Sequence, residues 1–157
     1  MAEVKGLTLK KVTKFKGHEG EPCRQGDIYL DGAKIGYYSD DFMMGPCTID
    51  FVSREMEDTV KKLCAEFYAE YPNERWFTEH EPDLDEFMQK VISYMDYEAE
   101  YKRYVKRGFP IFAVYQKNGP EYMAGYKTIE NAKQKLEGQD GILKLKFFTG
   151  LDGFNIK

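Results

Sequence analysis

Residues 27–38 read DIYLDGAKIGYY. Two apolar segments, residues 27–30 and 34–38, flank the pair Asp31 and Gly32. An Asp-Gly pair in this position is a strong hairpin signal, because glycine tolerates the positive φ that the tight primed turns need. The stretch therefore predicts antiparallel β structure in the N-terminal third of the chain.

Further strands are expected on both sides of this hairpin. Residues 7–15 alternate apolar and polar side chains, the period of a half-buried strand. Residues 47–51 have the composition of another strand. Residues 7–51 are therefore predicted to form an antiparallel β-meander.

Residues 53–107 are predicted to be helical. Ser53 and Asp83 are good N-cap residues, and each precedes apolar residues spaced three and four apart. Pro72 ends the first helix, because proline cannot continue one. Gly108 occupies the usual C′ position after the second helix.

Residues 109–149 are predicted to form two strands, a short helix and a final strand. Asn118 and Gly119 supply a second hairpin turn, and Thr128 caps the helix. Strands at both ends of the chain around central helices indicate an α+β fold. We expect an antiparallel sheet built from the N- and C-terminal strands, with two central helices packed on one face and a short third helix. At 157 residues, the chain fits a single domain.

The composition excludes several classes of protein. An apolar content of 42% with 15% aromatic residues excludes a disordered chain. No apolar run approaches the roughly 18 residues of a membrane span, and the N-terminal residues lack the apolar core of a secretory signal. Three irregularly spaced cysteines do not form a disulfide framework. A cytoplasmic protein without membrane contact, either a monomer or a homodimer, is expected.

Charge is distributed unevenly along the chain, although the formal net charge is only −4. Residues 1–50 carry 8 acids and 7 bases, and residues 51–100 carry 14 acids and 5 bases. Residues 101–157 carry 5 acids and 11 bases. Such asymmetry bears on partners and association more than on fold, although acidic helix faces also serve simply as solvated surfaces.

No catalytic signature stands out in the sequence. Nucleophile elbows, phosphate-binding glycine loops and paired zinc knuckles are all missing. His18, Cys23 and Cys47 are the one obvious trio of metal-ligand types, and their spacing matches no standard zinc arrangement. The chain is therefore predicted not to be an enzyme and to need no cofactor, and metal binding by this trio is left open.

The acidic middle of the chain is a candidate partner-binding surface. Carboxylates arrayed on rigid elements resemble the charge pattern of a nucleic-acid backbone and could occupy a cationic groove of a protein partner. An adjacent segment adds apolar anchors of the kind that interfaces favour. The residues assigned to this surface are Asp40, Asp41, Phe42, Met43, Met44, Glu79, Glu81, Asp83, Asp85 and Glu86.

The basic end supports an alternative, a nucleic-acid or nucleotide binding module. Basic residues interleaved with tyrosines could follow a strand of DNA or RNA and stack its bases. The residues assigned to this alternative are Lys102, Arg103, Lys106, Arg107, Lys144 and Lys146.

Residues 15–41, FKGHEGEPCRQGDIYLDGAKIGYYSDD, resemble the opening segments of small proteins from bacteriophages and mobile elements. An acidic single-domain protein without a catalytic motif is similar in character to anti-CRISPR and other anti-defence inhibitors. The resemblance implies inhibition by contact with a host defence protein, for example an RNA-guided CRISPR effector nuclease, in the bacterial host cytoplasm.

Overall fold

In the computed structural model, residues 1–40, 47–76 and 78–157 are described. The chain divides into two compact units. The first unit comprises Glu3–Ser93 together with Lys157, and the second comprises Met1–Ala2 and Tyr94–Ile156. Each unit is described separately below.

The described residues contain nine strands and three α-helices. The strands are β1 (Glu3–Val4), β2 (Leu7–Lys16), β3 (Pro22–Leu30), β4 (Ala33–Asp40), β5 (Thr48–Phe51), β6 (Ile111–Lys117), β7 (Glu121–Tyr126), β8 (Ile142–Phe148) and β9 (Asn155–Ile156). The helices are α1 (Arg54–Glu70), α2 (Leu84–Lys106) and α3 (Ile129–Leu136), with 3₁₀ turns at Pro72–Glu74 and Leu151–Phe154.

The first unit is built on an antiparallel sheet in which β5, β4, β3, β2 and β1 are neighbours in that order. The predicted hairpin joins β3 to β4, and Asp31 and Gly32 have φ values of 48° and 83°. Gly36 in β4 pairs with Phe51 in β5. The predicted meander is confirmed, because its strand order follows the chain.

The two predicted helix starts in the first unit are also confirmed. The Ser53 hydroxyl accepts a hydrogen bond from the backbone N–H of Met56 at 3.2 Å. The Asp83 carboxylate accepts one from the N–H of Glu86 at 2.8 Å. Such caps satisfy N–H groups that have no partner inside the helix.

The core of the first unit contains the apolar side of α1 and the first residues of α2. Val60, Phe67 and Phe87 are fully buried, and the rings of Phe67 and Phe87 lie 5.6 Å apart. Val60 and Phe67 belong to α1 and Phe87 belongs to α2. Their shared burial therefore packs the start of α2 against α1.

The second unit contains an antiparallel three-stranded sheet in the order β7, β6, β8. Phe112 of β6 packs against Tyr101 and Tyr104 of α2, with ring centroids 6.3 and 5.6 Å apart. Gly108 ends α2 at φ 88°, and the Thr128 hydroxyl caps α3 through the N–H of Asn131 at 3.2 Å. Asn118 and Gly119, between β6 and β7, have φ values of 53° and 106°. The predicted turn and the predicted helix caps of this segment are therefore confirmed.

The α+β class is confirmed, with one difference in the sheet. The predicted strands of residues 7–51 and 109–148 lie in two sheets, whereas one was expected. The cause is local pairing: a tight turn places β7 beside β6, and the connection through α3 returns β8 to the other edge of β6. The expectation of a single domain stays a prediction.

We predict that Gly36→Ala destabilises the first unit. A Cβ at this position would lie 2.4 Å from the backbone oxygen of Asp50, so β5 would have to move away from β4. Overpacking of this kind costs about 1–3 kcal/mol in the free energy of unfolding. Urea denaturation would measure the loss.

The matched control is Gly150→Ala, since Gly150 has extended backbone and open space where a Cβ would project. The control should change the free energy of unfolding by less than about 0.5 kcal/mol. Equal stability of the two variants would contradict the close approach of β5 to β4.

Candidate functional site

A cleft of about 620 Å³ opens in the first unit, beside the start of α2. Its walls come from three elements: the start of β5, one side of α1 and the segment that leads into α2. The lining residues are Cys47, Ile49, Lys61, Cys64, Pro82, Asp83, Leu84 and Asp85. This volume falls within the range of small-molecule and side-chain binding pockets.

Local structure explains how these side chains meet. Lys61 and Cys64 are three residues apart on α1, so both point to the same side of the helix. Asp83 caps α2, and Asp85 lies in its first turn, where carboxylates are favoured by the helix dipole. Pairing of β5 with β4 brings the residues after position 46 to the opposite wall.

Both thiols of the cleft are engaged as hydrogen-bond donors. Cys47 donates to the carboxylate of Asp85, and Cys64 donates to the backbone oxygen of Asp83 at 3.6 Å. Burial raises the pKa of the Cys47 thiol, and the bond to Asp85 acts in the same direction. Burial also raises the pKa of Cys64, to about 12. Both thiols are therefore protonated at neutral pH and lack the thiolate that nucleophilic or metal chemistry uses.

Behind Cys47 lies a buried phenol. Tyr38 is fully buried, and its hydroxyl accepts a hydrogen bond from the Gln89 side chain at 2.7 Å. Burial is the main cause that raises the pKa of Tyr38, and the nearby Cys47 adds to it. The phenol is thus neutral, and it fixes α2 against β4 without adding charge to the cleft.

Carboxylates dominate the charge of the cleft. Among the described lining residues, Lys61 is the one cation, and its ammonium lies 2.6 Å from the carboxylate of Glu57 one turn earlier on α1. The carboxylates of Asp83 and Asp85 accept hydrogen bonds from an amide and a thiol, which carry no positive charge. The cleft therefore favours a cationic group.

The structure separates the predicted partner-binding residues into several groups. Glu79, Glu81 and Asp83 are exposed, and Asp85 and Asp40 are half-buried. The predicted residues Asp41, Phe42, Met43 and Met44 lie outside the described residues.

Glu86 lies in the interior of the first unit, with 6% of its surface exposed. Its carboxylate accepts a hydrogen bond from the N–H of Trp76 at 3.2 Å and pairs with the guanidinium of Arg75 at 3.3 Å. The assignment of Glu86 to a docking surface is therefore corrected: its charge holds residues 75–76 against α2. The sequence pattern could not reveal this, because Glu86 directly follows the acids Asp83 and Asp85, which are exposed and half-buried.

In addition to the pair of Arg75 and Glu86, the structure contains a buried ion pair of Lys90 and Glu74, which was not predicted from the sequence. The ammonium of Lys90 lies 3.2 Å from the carboxylate of Glu74, and the two residues are 4% and 9% exposed. The same ammonium lies 4.7 Å from the centre of the Trp76 ring, a cation–π distance. The one available signal was a lysine within the apolar face of α2, a position where an unpaired charge would be costly.

The predicted nucleic-acid-binding residues have several partners within the second unit. Lys102 pairs with Glu98 at 2.5 Å, and Arg103 pairs with Glu100. Lys106, Arg107 and Lys144 are exposed. Four of the six predicted bases lie at the end of α2 or directly after it, and the other two lie in β8.

Lys146 differs from the exposed bases, because it is half-buried and its ammonium contacts Tyr94. Its ammonium donates a hydrogen bond to the hydroxyl of Tyr94 at 2.7 Å and lies 5.1 Å from the centre of that ring. Burial lowers the pKa of Lys146 to about 8. The assignment of Lys146 to a nucleic-acid-binding surface stays a prediction.

The suspected metal trio is not assembled. His18 is exposed in the loop between β2 and β3, Cys23 donates to the backbone oxygen of Glu21 at 3.7 Å, and Cys47 is bonded to Asp85. Within residues 1–40, 47–76 and 78–157, no group of three or more histidine, cysteine or acidic side chains could hold a metal ion.

No protein-family model, curated protein or solved structure matches this chain. Among the helices in the described part of the chain, none combines the length and apolar character needed to cross a bilayer. Functional inference therefore depends on the cleft and on the charges around it.

We predict that Lys90→Met destabilises the first unit strongly, by about 3–5 kcal/mol, because it leaves the Glu74 carboxylate buried without its cationic partner. The double variant Glu74→Gln with Lys90→Met should recover most of this loss. Urea denaturation with a double-mutant cycle would measure both effects.

The control for the buried pair is Lys61→Met, which removes the cation of the exposed pair with Glu57. It should cost less than about 1 kcal/mol. A Lys90→Met variant as stable as this control would contradict the burial of the pair.

We predict that Lys146 makes a contribution to the free energy of unfolding that rises with pH between about 8 and 10, opposite in sign to the contributions of Cys47, Cys64 and Tyr38. In the folded state, burial lowers the pKa of Lys146 to about 8 from 10.5, so the unfolded chain binds more protons in this interval. The penalty of burying the charged amine is complete below pH 8 and is relieved as pH rises. Lys146→Met should remove this contribution, which amounts to about 1–2 kcal/mol between pH 8 and 10.

Chemical denaturation at several pH values would test the Lys146 prediction. The exposed Lys127 offers a matched control, since Lys127→Met should leave the pH dependence unchanged. An identical pH dependence in the wild-type protein and Lys146→Met would show that this amine is not buried.

Proposed function

We propose that this protein is an inhibitor that binds a host defence or nucleic-acid-handling protein, for example an RNA-guided CRISPR nuclease, and blocks it by contact. The proposed docking surface is the acidic rim, defined here as Glu79, Glu81, Asp83 and Asp85. The observation that carries the proposal is that two of these carboxylates, Asp83 and Asp85, line a largely apolar cleft whose one described cation is paired within α1, and that the other two precede them in the segment leading into α2.

The alternation of acids in the rim supports docking to a cationic groove. Residues 79–85 carry a carboxylate at every second position, and three of the four are exposed. A groove that binds nucleic acid is lined by lysine and arginine, whose charges attract such an array as they attract phosphates. The inhibitor would thus compete with nucleic acid for the same residues.

Inhibition by occupancy fits the chemistry of the cleft. Its thiols are protonated and its carboxylates are engaged with neutral donors, so the cleft provides contacts and no activated nucleophile. Binding through exposed charges is fast and sensitive to salt. The proposed inhibition should therefore weaken as ionic strength rises.

We predict that Glu79→Lys combined with Glu81→Lys lowers inhibition at least tenfold, because it reverses two charges of the acidic rim. The measurement is DNA cleavage by a panel of purified RNA-guided nucleases, with and without the protein, at low and high salt. The wild-type protein should inhibit at least one nuclease and should do so less strongly at high salt.

The matched control makes the same charge change in the second unit, at the exposed Glu130 and Glu137. Glu130→Lys with Glu137→Lys should inhibit as the wild-type protein does. Loss of inhibition in both double variants would point to net charge and not to the rim. Absence of inhibition across the panel would refute the nuclease as target.

Nucleic-acid binding by the basic residues is the second candidate. The observation in its favour is a stacked pair of tyrosines across β6 and β7: Tyr115 and Tyr122 lie 5.9 Å apart, and Tyr122 is 46% exposed. Exposed aromatic rings on a sheet can stack with bases. A gel shift of oligonucleotides at low salt that is lost on Tyr122→Ala would favour this candidate over the inhibitor.

A further inference from the structure

The cleft beside the acidic rim has the chemistry of a receptor for one long cationic side chain. Ile49, Pro82 and Leu84 line it as half-buried apolar groups. Apolar surface of this kind binds the methylene stem of lysine or arginine while the charged end reaches a polar edge. A volume of about 620 Å³ is ample for such a side chain.

The polar groups of the cleft leave acceptors but few donors for an occupant. The Cys47 and Cys64 thiols already donate to Asp85 and to the backbone oxygen of Asp83. Each carboxylate has about four lone-pair sites, and one described hydrogen bond engages each of the two. The remaining acceptor sites suit an occupant that supplies hydrogen-bond donors.

The charge of the cleft selects a cation. Lys61 is bonded to Glu57 at 2.6 Å, so its charge is largely offset at the edge of the cleft. Asp83 and Asp85 lie within the first turn of α2 and its cap, two residues apart. Both carboxylates line the cleft, and a guanidinium suits such a wall because its five N–H groups can bond two acceptors at once, which a single ammonium does less well.

We propose that the cleft receives an arginine side chain of the partner protein, with the guanidinium on Asp83 and Asp85 and the methylene stem against Ile49 and Leu84. This inference rests on the proposed function and names the contact at its centre. The arginine is one that the partner uses to hold nucleic acid, since such residues are exposed in an open cationic groove.

The experiment uses the full-length protein labelled with ¹⁵N and titrated with the blocked tripeptide acetyl-Gly-Arg-Gly-amide. The expected result is saturable chemical-shift change in the amides of residues 47–49, 61–64 and 83–86. The same peptide with citrulline, which has nearly the same shape and no charge, should bind at least fivefold more weakly. Equal binding of the two peptides, or shift changes elsewhere in the chain, would overturn the inference.

The matched variant is Asp83→Asn with Asp85→Asn, which removes both charges and keeps a cap and an acceptor for the Cys47 thiol. It should bind the arginine peptide at least tenfold more weakly. The control Asp58→Asn changes an exposed acid of α1 and should bind as the wild-type protein does. Undiminished binding by the double variant would overturn the inference, and the citrulline comparison tests it even if this variant fails to fold.

The two proposals fail in different ways. Arginine binding in the cleft without inhibition of any nuclease would refute the proposed function and leave the cleft as an arginine receptor. Inhibition that survives Asp83→Asn with Asp85→Asn, together with no response to the arginine peptide, would refute the cleft inference alone.

Discussion

Two buried ion pairs hold the segment between α1 and α2 in place, and the candidate site depends on them. Glu74 with Lys90 and Arg75 with Glu86 join the residues after α1 to the first turns of α2. Burying any of these charges without its partner would cost free energy. The segment is therefore held in the arrangement that forms both pairs. That arrangement is the one in which the acidic rim follows directly into the cap of α2.

Because of these pairs, the acidic middle of the chain does not form one uniformly exposed surface. Its excess of carboxylates looks uniform in sequence, but the structure divides it into interior and surface groups. Glu74 and Glu86 neutralise cations inside the fold, and Glu57 and Glu70 pair with Lys61 and Lys5 at the surface. The exposed carboxylates that remain are those of the rim and, on α1, Glu55, Asp58 and Glu66.

Local signals made most of the secondary structure predictable. The turn at Asp31 and Gly32, the caps at Ser53, Asp83 and Thr128, and the stop at Gly108 act within a few residues, so their physics is visible in the sequence. The division into two sheets was not predictable in this way. Strand periodicity shows which faces are buried and does not show which strands become neighbours.

The sequence by itself determined the elements, the α+β class and the uneven charge, because propensity, capping and periodicity are local properties. The tertiary structure decided which charges are available. It buried Glu86 and drew Lys146 toward Tyr94, and it brought Cys47 onto Asp85 across 38 positions of the chain. Burial and pairing depend on neighbours distant in sequence, so the cleft and its preference for a cation emerge only once the chain is folded.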